Sequence, residues 1–170
     1  MNTRSATEAE ERLVMAFHEA GHLVTTHFSS YFGLRDPAVE IKLSGPLSAV
    51  SGFTRVRDTS PPEHHQPSAR EFVRIGLAGK ATEDEFLRLQ PSTGPRLIPN
   101  PDGANLDISS VRKTLQGMQM ETEYDVLFAE STAIVKREWK AIQAVAEIIF
   151  HSSKTKIPRE EILAVLPPKT

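Results

Sequence analysis

Apolar positions in the first thirty residues recur at helical spacing, through Leu13, Ala16, Phe17, Ala20, Val24 and Phe28. This is the pattern of a helix with one face turned to a core. Thr7 followed three residues later by Glu10 has the form of a capping box, so the spacing predicts a helix over about Glu8 to Phe28. The period then changes. Val39, Ile41 and Leu43 alternate with charged or polar neighbours, and Phe53 to Val56 follows a Gly/Ser/Pro-rich stretch. Both read as strands of a small sheet. Thr59 to Pro67, with three prolines around His64 and His65, reads as an exposed loop.

Helical spacing returns after this loop. Ser68 and Glu71 form a second capping-box pattern and predict a helix to about Leu89, with Phe72, Ile75, Leu77 and Phe86 among its apolar positions. Gly76, Ala78 and Gly79 fall in its middle. Each glycine inside a helix costs roughly 1 kcal/mol relative to alanine. The cluster therefore predicts close approach of another backbone, with the first helix as the natural partner. Pro91 to Pro101 holds four prolines and reads as a surface excursion. Asn105 is placed to cap a third helix carrying Val111, Leu115 and Met118, and one long helical region is predicted from about Glu123 to His151. Pro158 starts a short C-terminal helix. The expected fold is a mainly α-helical α+β domain, one domain over residues 1–170, with a small β-sheet beside the first helix.

Composition narrows the function classes. A chain of 170 residues with 39% apolar content can bury one ordinary core. Twenty basic against twenty-two acidic side chains leave a net charge of -2, which provides no footprint for nucleic acid. The absence of cysteine removes disulfides, thiolate metal sites and a cysteine nucleophile, so a metal must be held by His, Asp or Glu. It also fits a reducing cytoplasm, the expected location. The acidic, polar start from Ser5 to Arg12 is unlike a signal peptide, and no run of about eighteen apolar residues predicts a membrane segment.

The chemistry is concentrated in His18-Glu19-Ala20-Gly21-His22. Two histidines four residues apart on a helix share one face, so both imidazoles reach a single zinc ion. Glu19 is rotated about 100° from His18, outside the metal's ligand shell and in reach of a water there. It is the candidate catalytic general base for peptide hydrolysis. Two histidines leave zinc short of a protein ligand. The extended pattern with a third histidine requires glycine at position 25 and histidine at position 28, where this chain has Thr25 and Phe28. His27 is rotated off the ligand face and reads as a packed or partly exposed histidine. Glu83, Asp84, Glu85 and Asp107 remain as candidates for the third ligand.

Several stretches in order resemble the protease domain of the FtsH family, membrane-anchored zinc peptidases coupled to an ATPase ring: AFHEAGHL at Ala16 to Leu23, PAVEIKL followed by GFTRV, LAGKATEDEF, and GANLDISSVRKTL. The resemblance covers nearly the whole chain. It implies Zn²⁺ as cofactor, held by His18, His22 and Asp107, the aspartate of the family's Gly-Ala-x-x-Asp stretch. A carboxylate in the first turn of a helix is also held ionised by the positive dipole end. Glu83 and Asp84 match the family's paired acids and are expected to orient a ligand histidine. Departures are Ala78-Gly79-Lys80 where Gly-Gly-Arg is usual, a longer proline-rich segment from Gln90 to Asp102, and no phosphate-binding G-x-x-x-x-G-K-[ST].

The expectation is thus a stand-alone zinc-dependent endopeptidase acting on unfolded or flexible polypeptide, without ATP. The resemblance leaves open a homo-oligomer or a separate ATPase partner. Val39 to Leu43 is a candidate edge for pairing with an extended substrate. The alternative is a non-catalytic, zinc-stabilised interaction module on the same fold; a metal-free helical scaffold requires all four site residues to be coincidental.

Overall fold

The computed structural model describes residues 7–43, 50–91 and 101–169. It is mainly helical, with one small antiparallel sheet. Most of the predicted Pro91 to Pro101 excursion and the Gly/Ser/Pro-rich stretch before Phe53 lie outside the described residues.

Helix α1 runs Glu8–Phe28 and opens on the expected capping box: the Thr7 side chain accepts from the Glu10 N–H at 3.2 Å, and the Glu10 carboxylate accepts from the Thr7 N–H at 2.7 Å. Spacing predicts a one-faced helix, but from Val14 to His27 every residue except Phe17 is buried. The reason is enclosure. Helix α2 (His65–Arg88), helix α5 (Trp139–His151) and the sheet strands β1 (Phe32–Leu43) and β2 (Val50–Asp58) all pack against α1.

The small-residue cluster on α2 meets α1 at Ala78 and Gly79, as the sequence predicts, whereas Gly76 faces Val111 of α3 (Pro101–Gly117). A Cβ added at Gly21 of α1 would lie 2.6 Å from the Ala78 carbonyl oxygen and 2.2 Å from Thr82 Oγ1. The backbone therefore approaches α2 more closely than any side chain permits, and this packing offsets the helix-propensity cost of glycine.

Two predicted caps are corrected. Helix α2 begins at His65, ahead of Ser68, after a 3-10 turn at Pro62–His64. Pro67 is tolerated in the first turn because its missing N–H has no helical partner there. Ser68 donates to the His65 carbonyl, while Glu71 reaches the end of α1, accepting from the Ser30 and Tyr31 N–H groups and from the Ser29 hydroxyl. Helix α3 runs Pro101–Gly117, so Asn105 is interior and Pro101 occupies the first helical position.

The long helical region expected from Glu123 to His151 consists of two helices, α4 (Tyr124–Arg137) and α5, separated at Glu138, where φ is -95° and ψ 17°. The break redirects the chain, because α4 packs on α2 and α5 on α1. Two clusters of buried apolar side chains follow from this arrangement. One joins α1, β1, α5 and the short C-terminal helix α6 (Arg159–Leu163) through Leu23, Val24, Val39, Ile149 and Ile162. The other joins α2, α3 and α4 through Val73, Leu77, Val111, Leu115 and Leu127.

The sheet has the order β2-β1-β3, where β3 is Lys156–Ile157. Strand β1 pairs with β2 in the register Val39↔Thr54 and Ile41↔Gly52, and with β3 through Val39↔Ile157. This corrects the expected substrate edge. Val39 to Leu43 belongs to the central strand, and the edge beside α1 is β2. β3 has two residues, too few to show an alternating pattern in the sequence. No described helix is long and apolar enough to cross a membrane.

Candidate metal centre

The two histidines of α1 stand one turn apart with both rings turned towards α2 and α3, and Asp107 of α3 reaches them. His18 Nε2 and His22 Nε2 are 3.0 Å apart, and Asp107 Oδ2 lies 2.8 Å from the first and 3.0 Å from the second. These three residues form a group that could hold a metal ion.

The outer nitrogens explain why the inner ones converge. His18 Nδ1–H donates to Glu83 Oε1 at 2.6 Å, and His22 Nδ1–H donates to the Ile75 carbonyl oxygen at 2.7 Å. A carbonyl can only accept, so the proton of a neutral His22 is on Nδ1 and Nε2 presents a lone pair. The same reasoning applies to neutral His18 beside a carboxylate. Two lone pairs and a carboxylate oxygen within about 3 Å of one another repel unless a cation lies among them. In the protein alone that cation is a proton. Burial opposes the charged His18 ring, but the carboxylates of Asp107, Glu83 and Glu19 outweigh it and push the pKa up to about 10. Burial likewise opposes ionisation of Asp107, and the two histidines overcome it, holding the carboxyl below its ordinary range.

Asp107 is the seventh residue of α3, past the first turn. The helix dipole therefore does not hold its charge, since that field acts within the first turn; the histidines keep it ionised instead. Gly79 completes the seat. A Cβ there would lie 2.5 Å from both Nε2 atoms, so only glycine leaves the space into which the two imidazoles point.

Glu19 is buried beside the pair, with its carboxylate oxygen Oε2 accepting from the Thr54 hydroxyl at 2.6 Å. A cleft of about 350 Å³ opens over the cluster, with walls that include Met15, Phe53, Val56, Phe72, Ile75 and Val111. The cleft thus runs between β2 on one side and α2 with α3 on the other. No protein-family model matches the chain, and no curated protein does.

The other carboxylates considered for the cluster divide. Glu83 is fully buried against His18, as expected of an orienting acid. Asp84, its expected companion, instead faces solvent and pairs with Lys80 one turn back. Glu85 pairs with Arg88. His27 is packed away from the cluster, its Nε2 donating to the Pro167 carbonyl at 2.8 Å. Thr54, Gly79 and the Ile75 carbonyl were not anticipated from the sequence. Gly79 alone carried a signal, as a helix-interior glycine whose purpose is close approach.

Proposed function

We propose that this chain is a zinc-dependent endopeptidase of the FtsH type, acting on unfolded or flexible polypeptide. The observation that carries the reading is the convergence of two imidazole lone pairs and one carboxylate beside a buried glutamate in an open cleft. The donor set of two nitrogens and one oxygen suits zinc and leaves a position for water or substrate. Ligand atoms around a tetrahedral zinc stand about 3.3 Å apart, a few tenths of an ångström wider than the spacing among these three. What zinc supplies when bound is Lewis acidity, which lowers the pKa of water towards about 7 and polarises a carbonyl.

The chain's own residues supply the rest. Glu19 takes a proton from the attacking water and returns it to the leaving amine, and its burial shields that transfer from bulk solvent. Glu83 and the Ile75 carbonyl hold the imidazoles in the tautomer that leaves Nε2 free to ligate. The edge of β2 along the cleft is where an extended polypeptide adds as a further strand, through main-chain hydrogen bonds that place few demands on sequence.

Glu19→Gln tests the reading because it keeps shape and helix propensity while removing the base. Bound metal and melting temperature should match wild type, and hydrolysis of a quenched-fluorescent peptide library should fall about 10²- to 10⁴-fold. Metal-loaded wild type that cleaves no peptide would instead support a zinc-stabilised binding module.

A further inference from the structure

Glu19 is carried by α1, but the hydrogen bond that fixes its carboxylate comes from the sheet. Thr54 Oγ1 lies 2.6 Å from Glu19 Oε2 and 3.4 Å from the Glu19 main-chain oxygen. The shorter contact has the length of a charge-assisted O–H···O⁻ bond. Among the described residues, Oε1 accepts no hydrogen bond, so Thr54 restrains one oxygen and leaves the other for chemistry. Gly52, two residues earlier and therefore on the same face of β2, closes over the same side chain: a Cβ there would lie 2.5 Å from Glu19 Cγ and 2.9 Å from Cδ. The position of Thr54 is in turn set by its pairing with Val39 of β1, which is fully buried and paired on its far side with Ile157.

We infer that Thr54 is a positioning residue for the base: its hydroxyl aims the Glu19 carboxylate into the cleft, so the general base is oriented by the strand that borders the substrate. This rests on the peptidase reading. A carboxylate on a flexible two-carbon stem has several rotamers, and an error of about 1 Å in a reacting group costs on the order of 10²-fold in rate. Fixing it from β2 aligns base and substrate to one element.

The test uses Thr54→Val, which keeps the β-branched shape and loses the hydroxyl, and Thr54→Ser, which keeps the hydroxyl. Steady-state hydrolysis of a cleaved library peptide, metal content, melting temperature and crystal structures are compared for both variants and wild type. Thr54→Val is expected to lower kcat about 10- to 100-fold, with KM and metal content near wild type and the Glu19 carboxylate displaced. Thr54→Ser should recover most of the rate and the wild-type carboxylate position. Unchanged kcat in Thr54→Val, an undisplaced Glu19, or an equal loss in Thr54→Ser overturns the assignment, as does a raised KM at constant kcat, which would put Thr54 on the substrate instead. Wild type without activity overturns the peptidase reading itself and the catalytic role of Thr54 with it, whereas the crystal comparison still decides whether Thr54 holds Glu19.

Discussion

His18 and His22 lie on a helix enclosed by two others and a sheet, whereas Asp107 lies on α3, which packs mainly against α2. The side chains differ accordingly: the two histidines are 6% and 9% exposed and Asp107 is 31% exposed. Its neighbour Leu106 is 67% exposed. Each histidine also has an outer partner that fixes its ring, and Gly79 on α2 makes room for both Nε2 atoms. Asp107 has no such support; its hydrogen-bond partners among the described residues are the histidines themselves. The difference teaches that the histidine pair is preformed by packing, while the carboxylate completes the site through the charge it meets there.

The sharpest way to break this contrast is to compare its two halves for metal. His22→Ala should leave no zinc after dialysis, by elemental analysis, because a single imidazole and one carboxylate cannot hold it. Asp107→Ala should keep the histidine pair intact and bind zinc measurably, yet more weakly than wild type by more than the roughly 10- to 100-fold expected of an outer partner. Equal loss in both would mean that the halves are not independent.

A smaller effect separates the two neighbouring acids on α2. Glu83→Gln should weaken zinc about 10- to 100-fold, since an amide orients the His18 ring less strongly than a carboxylate. Asp84→Asn should leave affinity unchanged, because that side chain pairs with Lys80 at the surface. Affinities follow from competition with a chromophoric chelator. If Glu83→Gln outweighed Asp107→Ala, the third ligand would move to α2.

A further effect concerns pH. With the metal removed, His18 is held at a pKa of about 10 against an ordinary 6.5. A raised folded-state value stabilises the fold fully below about 6.5 and loses that contribution as pH rises towards 10. Asp107 has the opposite sign, contributing above its ordinary value near 4 and losing that contribution on acidification. Melting temperature of the chelator-treated protein should therefore decline from pH 6 to pH 9. Zinc competes with the proton for Nε2, so its affinity should rise over the same interval. Chelator-treated protein that gains stability from pH 6.5 to 9 would contradict the charge assignment of the cluster.

Much of the scaffold was legible in the chain itself. The Thr7–Glu10 capping box and the periodicity that follows specify α1, because helix initiation and spacing are local properties. The glycines of α2 announced a close helix contact, since their propensity cost needs a reason. The His18/Glu19/His22 spacing put two imidazoles on one face for the same local reason. What is not local was misread or unseen. The start of α2 ahead of Ser68, the break at Glu138 and the seventh-residue position of Asp107 depend on which helices pack together. The central place of β1 depends on β3, a two-residue strand more than one hundred residues distant from β1 in the chain.

The sequence by itself therefore determined the histidine pair, the adjacent glutamate and the helix that carries them, because a single turn of helix sets those distances. Only the tertiary structure decided that Asp107 meets the pair, that Glu83 rather than Asp84 orients His18, and that Thr54 reaches Glu19. Each of those contacts joins residues that are 35 or more positions apart. Their distances are set by how the helices and sheet enclose α1, which no local pattern encodes.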